Sequence, residues 1–168
     1  MKITINTKNL LAAIQNVVGV VEKKQTMPIL GHILFELSDD RLTLTATDLE
    51  VQIKSYATPV DSEDTNISFT VSGRKMYDIL RSLDDETAKI LLSDDKLTIK
   101  TNKSSYKLAT LSTQDFPLFE DKKPQESFTI NQKELITLFV KTQFAMAQQD
   151  VRFYLNGLLV EVGPNKLT

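Results

Sequence analysis

The sequence predicts an α+β protein made of one complete domain and the beginning of a second. Alternating strands and amphipathic helices occupy most of the first 110 residues. A stretch with two prolines and several charges interrupts this pattern, and the opening pattern then starts again. The chain of 168 residues is also longer than a typical domain of about 100–150 residues.

The chain opens with a strand that leads into a helix. Ile3-Thr4-Ile5 alternates as a strand does, and Thr7 is predicted to cap a helix whose apolar positions run from Leu10 to Val21. After Pro28 the pattern changes to that of an antiparallel meander. The predicted strands are 33–37, 42–46, 50–56 and 67–71, with a polar loop at 61–66.

A second helix and three more strands complete the pattern. The helix is predicted over 74–83, with Ile79, Leu80 and Leu83 facing inward. The strands follow at 88–92, 96–101 and 105–110. Since the pattern then lapses around Pro117 and Pro124, we expect a first domain at 1–122, a linker at 123–127 and the start of a second domain at 128–168.

The second domain repeats the first with a period of 125 residues. Thr4-Ile5-Asn6 recurs as Thr129-Ile130-Asn131, and Leu42-Thr43 recurs as Leu167-Thr168. Agreement in element order and register over about 40 residues indicates a duplicated domain. Because the second copy stops early in its hairpin, its sheet would expose apolar faces, and we expect the chain to be a fragment of a longer protein.

The composition is that of an ordinary globular protein, with 41% hydrophobic and 25% charged residues. The absence of Cys excludes disulfides and thiolate ligands. The start of the chain turns polar too soon for a signal peptide, and no apolar run approaches the roughly 20 residues of a membrane span. We therefore predict a cytoplasmic protein without membrane partners.

The charge is distributed unevenly. The whole chain has a net charge of −2, whereas the three predicted helices carry six basic and two acidic residues, which leaves −6 for the remainder. The acids gather at turns and loops. Two interpretations remain open: the helices face a polyanion that the rest of the molecule repels, or each helix has an ordinary solvated polar face.

No set of residues predicts catalysis, and no metal or cofactor is predicted. His32, the only histidine, begins a strand without a nearby metal-ligand partner, which favours a packing or surface role. Acidic pairs such as Asp39-Asp40 occupy turns, where Asp is favoured by turn geometry. Two alternatives remain: an enzyme with its active site in a missing C-terminal part, or a peptide-binding scaffold unrelated to DNA.

Several motifs together resemble the β subunit of bacterial DNA polymerase III, in order along essentially all of the chain. They are Met27-Pro28-Ile29-Leu30-Gly31, the run 42–50, Gly73-Arg74-Lys75, Asp115-Phe116-Pro117 and the run 149–157.

The resemblance implies a DNA clamp fold, in which repeated domains of two helices pack on two antiparallel sheets. It implies a non-enzymatic processivity factor of DNA replication, a head-to-tail homodimeric ring that encircles double-stranded DNA and slides along it. Its implied partners are the catalytic subunit of DNA polymerase III, the clamp loader and other clamp-binding repair proteins. A sliding ring needs only sparse phosphate contacts, so a near-neutral charge fits this function.

The resemblance also implies three sets of site residues. The DNA-binding set is Lys24, Arg74, Arg81 and Gln149; at Lys24 family members often carry Arg, so only a point-charge contact is expected there. One wall of a pocket for partner peptides is Arg152, Tyr154 and Leu155. The dimer interface is Lys75, Lys103, Tyr106 and Leu108. Without the resemblance, these segments would be solvated loops, an apolar cluster at a strand edge (153–155) and an ordinary edge strand (106–108).

Overall fold

A computed structural model describes residues 2–21, 27–38, 40–63, 65–93, 95–119, 127–163 and 166–168. The chain divides into two compact units, Met1–Glu120 and Asp121–Thr168. The linker predicted at 123–127 lies outside the described residues except for Ser127, so the domain limits stay a prediction.

The first unit combines antiparallel strands with two α-helices, as the sequence predicts. Its elements are β1 (Lys2–Asn6), α1 (Thr7–Val17), β2 (His32–Ser38), β3 (Arg41–Thr47), β4 (Gln52–Ala57), β5 (Asp61–Ser62), β6 (Asn66–Ser72), α2 (Gly73–Arg81), β7 (Thr87–Ser93), β8 (Lys96–Lys100) and β9 (Ser105–Ala109). Short 3-10 helices lie at Pro28–Gly31 and Thr113–Asp115.

The strands of the first unit form two antiparallel sheets. One has the order β4-β3-β2-β6 and the other β5-β1-β7-β8-β9. The polar loop predicted at 61–66 is wrong, because Asp61 and Ser62 pair with β1 and Asn66 begins β6. The side chain of Thr70 connects β6 to the segment after β9: its hydroxyl donates to the Leu111 carbonyl oxygen at 2.8 Å and accepts from the Leu111 N–H at 3.0 Å.

One hydrophobic core joins both sheets and both helices. Alternate strand residues such as Ile3, Ile5 and Ile90 are fully buried in it. Phe35 on β2 stacks on Phe69 of β6 with ring centroids 4.9 Å apart. In the five-stranded sheet, alternation with a period of two places one side of each strand in the core and the other toward solvent. In the four-stranded sheet, Leu34, Thr45 and Thr70 on the opposite face are buried as well.

The cap predicted for the first helix is wrong by one residue. The N-cap is Asn6, whose side-chain oxygen accepts hydrogen bonds from the N–H groups of Lys8 and Asn9, both at 3.1 Å. The Thr7 hydroxyl instead donates to the Asp85 carbonyl oxygen at 2.5 Å. Both residue types are good caps, and a contact 78 positions along the chain decides which one caps this helix.

Both helices of the first unit are shorter than predicted. α1 ends at Val17 rather than Val21, although Val21 stays buried beyond the helix end. α2 buries Met76 and Leu80, whereas Ile79 and Leu83, predicted to face inward, are only partly buried. An apolar spacing therefore marks which residues reach the core and does not fix where the helix stops.

The second unit contains one helix and one short hairpin in its described part. These are α3 (Gln132–Thr142), β10 (Val162–Gly163) and β11 (Lys166–Leu167), with 3-10 helices at Gln143–Ala145 and Phe153–Asn156. The strand expected at 129–131 is not paired.

The 125-residue repeat is confirmed in these elements. Both α1 and α3 have 11 residues, and their first residues lie 125 positions apart. The same offset relates the 3-10 helices Pro28–Gly31 and Phe153–Asn156. It also relates the hairpin pair Leu37↔Leu42 to Val162↔Leu167. The two stretches therefore share one local structure.

Candidate nucleic-acid interface

Helices α1 and α2 pack against each other at a close approach. A Cβ atom on Gly73, the first residue of α2, would lie 2.9 Å from side-chain atoms of both Ile33 and Val21. No side chain fits at that distance without moving its neighbours. Glycine is therefore what allows the start of α2 to sit against β2 and against Val21 in the segment after α1.

The exposed face of α2 carries the basic residues predicted to meet DNA. Arg74 and Arg81 are both exposed and lie seven residues apart, which places them on one face about 10.5 Å apart along the helix. The Arg74 guanidinium donates from Nη2 to the Val21 carbonyl oxygen at 3.2 Å, so it also closes the turn after α1. The Arg81 guanidinium lies 5.8 Å from the centre of the Tyr77 ring.

The exposed face of α1 is mostly uncharged. Its exposed residues are Lys8, Asn9, Ala12, Gln15 and Asn16. The Asn16 side chain donates to the Ser55 hydroxyl on β4 at 3.2 Å. Together the two helices present four cations and one carboxylate, Asp78, among amide and small side chains. The four cations of this face could each contact a phosphate, and a small number of such contacts can be exchanged.

The other two residues of the DNA-binding set do not lie on these helices. Lys24 lies outside the described residues. Gln149 lies in the second unit, is exposed, and has a φ of 56°. A non-glycine residue in this left-handed region is uncommon and identifies a tight local turn.

The residues predicted to form one wall of a peptide pocket lie together around a 3-10 turn. Phe153–Asn156 forms this turn, so the alternative of an apolar cluster at a strand edge is wrong. Tyr154 is 68% exposed, and its ring makes an edge-to-face contact with the exposed ring of Phe153, with centroids 6.1 Å apart. Leu155 is held by a hydrogen bond from the Ala147 N–H to its carbonyl oxygen at 2.9 Å.

Arg152 is fixed by residues that sequence reasoning missed. Its Nε and Nη2 donate to the two carboxylate oxygens of Asp150 at 3.1 and 3.0 Å, and its backbone N–H donates to the same carboxylate at 2.8 Å. These bonds lower the pKa of Asp150 and raise that of Arg152. Asn156 in turn makes two bonds to the Asp150 backbone, each 3.0 Å. The signal in the sequence was an Asp two residues before an Arg in a loop.

The predicted dimer-interface residues lie at two places in the first unit. Lys75 is exposed on α2, and Lys103 is exposed in the β8–β9 connection. Tyr106 and Leu108 lie on β9, an edge strand of the five-stranded sheet. They pair with Ile99 and Leu97 on the inner face, and Leu108 is only 8% exposed. What β9 offers to a partner is thus its free backbone edge more than these two side chains.

His32 is half-buried at the start of β2. Its Nδ1 lies 3.2 Å from the Thr70 hydroxyl oxygen. Since the Thr70 proton is committed to the Leu111 carbonyl, Nδ1 of His32 is the donor. Burial lowers the pKa of His32, and the positive charge of Lys75 lowers it further.

No helix among the described residues is long and apolar enough to cross a membrane. In the same part of the chain, no three or more His, Cys, Asp or Glu residues cluster where they could hold a metal ion.

The fold is that of the DNA clamps. The structure superposes on the β subunit of DNA polymerase III from Pseudomonas aeruginosa with a TM-score of 0.93 at 40% identity, over 99% of this chain and 45% of that one. It also matches a Helicobacter pylori β clamp bound to a DNA ligase peptide, with a TM-score of 0.81 at 31% identity over 90% of this chain and 42% of that one. The predicted fold class is therefore confirmed.

The sequence comparisons identify the family. The model for the N-terminal domain of the DNA polymerase III beta subunit matches residues 1–120. The beta sliding clamp of Vibrio cholerae is 41% identical over 163 residues, which are 96% of this chain and 44% of that protein. The chain belongs to the DNA polymerase III beta subunit family. It spans a little under half the length of the curated relatives it matches.

Proposed function

We propose that this chain is part of a processivity factor of DNA replication: a ring that encircles duplex DNA, slides along it and tethers the replicative polymerase. The observation that carries the proposal is the membership of residues 1–120 in the beta subunit family, together with the exposed cationic face of α2. Curated relatives from Vibrio cholerae and Pseudomonas aeruginosa, each 41% identical, are named beta sliding clamps.

The helix face suits a protein that must move along its ligand. Arg81 on α2 and Lys8 on α1 are exposed cations, and the other exposed side chains of α1 are neutral Asn, Ala and Gln. Few charges neutralise few phosphates, so binding stays weak and exchangeable. Retention on DNA then depends on closing the ring rather than on affinity. Lys24, Arg74 and Gln149 complete the proposed set of DNA contacts.

We place the subunit contact and the partner-peptide contact at separate surfaces. The free edge of β9, with Lys103, Tyr106 and Leu108 nearby and Lys75 on α2, is proposed to contribute to a head-to-tail homodimer. Arg152, Tyr154 and Leu155 are proposed as one wall of a pocket for short peptides of the polymerase, the clamp loader and repair proteins. Support comes from the Helicobacter pylori clamp with its DNA ligase peptide and from the bonds that fix Arg152. The role proposed for the chain is non-catalytic.

A topological experiment tests the ring. The protein at the full length of its relatives is loaded on nicked circular DNA by its clamp loader, and half of the sample is then linearised. We expect retention on circles and rapid loss from linear molecules. Equal retention on both forms would show binding by affinity and would contradict the proposal.

A second experiment tests the helix face. Equilibrium binding of the 168-residue chain to a duplex is measured at several salt concentrations. Arg81→Gln should lower the salt slope by about 0.9, the value for one phosphate contact. Lys89→Gln, which removes one charge from the outer face of the five-stranded sheet, is the matched control and should leave the slope unchanged. If Lys89→Gln changed the salt slope more than Arg81→Gln did, DNA would bind the outer face of the five-stranded sheet, and the proposal would be contradicted.

A further inference from the structure

Two segments of the first unit cover part of the outer face of the four-stranded sheet, the side opposite to the core. The first is the stretch 111–116. Leu111 makes both of its backbone hydrogen bonds with the hydroxyl of Thr70 on β6. Phe116 is buried in one cluster with Leu34 of β2. Both ends of this stretch are therefore fixed to the sheet.

The second segment is Met27 with the 3-10 helix that follows it, Pro28–Gly31. The Leu30 N–H donates to the Met27 carbonyl oxygen at 3.1 Å. Ile29 and Leu30 are buried in the cluster that also holds the first segment. Because the proline at the start of the helix has a fixed φ and the cluster holds the helix on the sheet, this segment is held in place as well.

A groove of about 470 Å³ lies between the two segments, within the range of about 300–1,000 Å³ of ligand pockets. Met27 and Leu111 line it and remain 42% and 38% exposed. Walls this exposed would leave a small ligand mostly in solvent, whereas an apolar side chain of a larger partner could fill the groove. Methionine suits such a surface because its unbranched side chain adapts to different shapes. The lining residues, here called the Met27 groove, are Met27, Pro28, Ile29, Leu111 and Asp115.

Asp115 is the only charged residue among those that line the Met27 groove. It ends the 3-10 helix Thr113–Asp115, and the Ser112 hydroxyl accepts a hydrogen bond from the Gln114 N–H at 3.3 Å at the start of that helix. The Asp115 carboxylate is exposed and forms no ion pair with a described residue. An acid in an apolar groove favours a ligand that joins an apolar side chain to a positive charge.

The repeat shows that the charge at this place differs between the two units. Met27 and the 3-10 helix after it correspond to Arg152 and the 3-10 helix Phe153–Asn156, 125 positions later. Arg152 is paired with Asp150 at 3.0 Å, so the two charges of the second unit compensate each other. In the first unit, Asp115 leaves an uncompensated negative charge. The two places therefore suit ligands of different charge.

We propose that the Met27 groove binds a short segment of a partner protein in which an aliphatic side chain is followed by Lys or Arg. The aliphatic side chain would lie between Met27 and Leu111, and the cation would reach the carboxylate of Asp115. Burial of the two exposed apolar side chains supplies contact area, and the ion pair sets the direction of the segment. Because both walls are already fixed to the sheet, little ordering of the groove opposes binding.

The proposal goes beyond the clamp function and does not depend on it. A carboxylate in the groove repels the phosphates of DNA, so the expected ligand is a protein segment. α1 packs on the opposite side of the four-stranded sheet, where it contacts β3 and β4. A partner in the Met27 groove would therefore leave the exposed faces of α1 and α2 free.

The test titrates the 168-residue chain with the peptide Ser-Leu-Leu-Arg-Ser, whose termini are blocked to remove their charges. Heteronuclear NMR follows each backbone amide during the titration. We expect saturable shifts of the amides of Met27, Leu111 and Asp115, with a Kd below about 1 mM. No saturable shift at these residues up to that concentration would overturn the proposal, and shifts at 152–155 instead would overturn it as well. Groove shifts that depend on protein concentration without peptide would identify the occupant as a second copy of the chain and contradict the proposal.

A pair of matched double variants tests the site. Met27→Gln with Asp115→Asn should weaken binding about fivefold, because an apolar contact and an exposed ion pair are lost. Val60→Gln with Asp84→Asn removes one exposed apolar side chain and one exposed carboxylate elsewhere in the same unit, and it should leave the Kd unchanged. Circular dichroism verifies that each variant keeps its fold. Equal loss of affinity in the two variants would overturn the site.

Reversal of the charge tests the role of Asp115. The unchanged chain should bind Ser-Leu-Leu-Arg-Ser about threefold more tightly than Ser-Leu-Leu-Glu-Ser, as expected for one exposed ion pair. Asp115→Lys should reverse this preference. The same preference in both proteins would mean that Asp115 does not contact the ligand. Retention on circular DNA tests the ring separately, so failure of either proposal leaves the other standing.

Discussion

The two units contain the same local structure in different surroundings. Residues of α1, the 3-10 turn and the β2–β3 hairpin recur 125 positions later with the same helix length and hairpin register. In the first unit these residues are buried: Leu34 is 2% and Phe35 is 0% exposed. Their equivalents Leu159 and Val160 are 82% and 48% exposed.

An apolar cavity lies among the repeated elements of the second unit. The cavity has a volume of about 100 Å³. The cavity is lined by Leu135, Leu138, Phe139, Thr142, Leu158, Leu159, Val160, Leu167 and Thr168. Each of them has an equivalent 125 positions earlier in the first unit, and eight of these nine equivalents are buried. In the first unit, α2 and the remaining strands cover these positions. Caps, turns and register are therefore encoded locally, whereas burial requires the rest of the domain.

The largest expected difference in stability is between Leu→Ala substitutions at equivalent positions of the two units, Leu34 and Leu159. Leu34→Ala should lower the free energy of unfolding of the first unit by about 2–4 kcal/mol, because it leaves a cavity beside Ile29, Leu30 and Phe116. Leu159→Ala should change stability by less than about 0.5 kcal/mol. Urea unfolding followed by circular dichroism measures both. A comparable loss in the two variants would mean that Leu159 is buried.

This contrast also explains which parts of the fold the sequence could predict. Alternation in Ile33–Leu37 and the recurrence of Asn6 as Asn131 are local signals, and the strand and the repeat follow from them. The choice of Asn6 over Thr7 as cap depends on Asp85, which lies far away in the sequence. The grouping of Lys89, Lys96, Lys100 and Lys107 on one face of a sheet could not be predicted for the same reason. Each lysine shows its outward position locally, but only the pairing of β7, β8 and β9 brings the four together.

In the candidate site, too, the positions set by local spacing could be predicted, and those set by strand pairing could not. The positions of Arg74 and Arg81 on one helix face follow from helical spacing and were predicted correctly as exposed cations. The inward orientation of Leu108 depends on its register with Leu97, which no local signal in the sequence gives, and its place at the dimer interface stays a prediction. Sequence reasoning placed the charged residues and could not orient the residues of an edge strand.

The second expected effect concerns α2, which has no equivalent among the described residues of the second unit. Gly73→Ala should cost about 1–3 kcal/mol, because the new methyl group lies within 2.9 Å of Ile33 and Val21. Gly19→Ala is the matched control, since a Cβ there has no atom within 4 Å. Thermal unfolding compares the two. If Gly73→Ala were as stable as Gly19→Ala, the close approach of the start of α2 to Ile33 and Val21 would not be needed for packing.

The third expected effect compares the two caps directly. Asn6→Ala should cost about 1 kcal/mol, because its side chain accepts two backbone N–H bonds that Ala cannot accept. Asn131→Ala should cost somewhat less, since Asn131 accepts one bond, from Lys133 at 2.9 Å. Hydrogen exchange of the first-turn amides of α1 and α3 measures each cap separately. A larger increase in exchange in α3 after Asn131→Ala than in α1 after Asn6→Ala would contradict the predicted order of the two caps.

The smallest expected effect is a pH response confined to the first unit. His32 corresponds to Gly157 in the repeat, so the second unit has no titrating group at this place. In the folded protein, burial and Lys75 lower the pKa of His32 below the ordinary value of 6.5. Above pH 6.5 the ring is neutral whether the chain is folded or unfolded, and stability is unaffected. Below it, the unfolded chain binds the proton more readily, so stability falls until the folded pKa is passed.

His32→Gln isolates this contribution. Gln can still donate a hydrogen bond to the Thr70 hydroxyl but has no titrating group. Stability measured by urea unfolding between pH 7 and about 5 should decline less in His32→Gln than in the unchanged chain, because ordinary carboxylates titrate lower, near about pH 4. Hydrogen exchange of β2 and α3 at the two pH values should show the decline in β2 and none in α3. An equal slope in both proteins would mean that His32 has the same pKa folded and unfolded, and that Lys75 does not act on it.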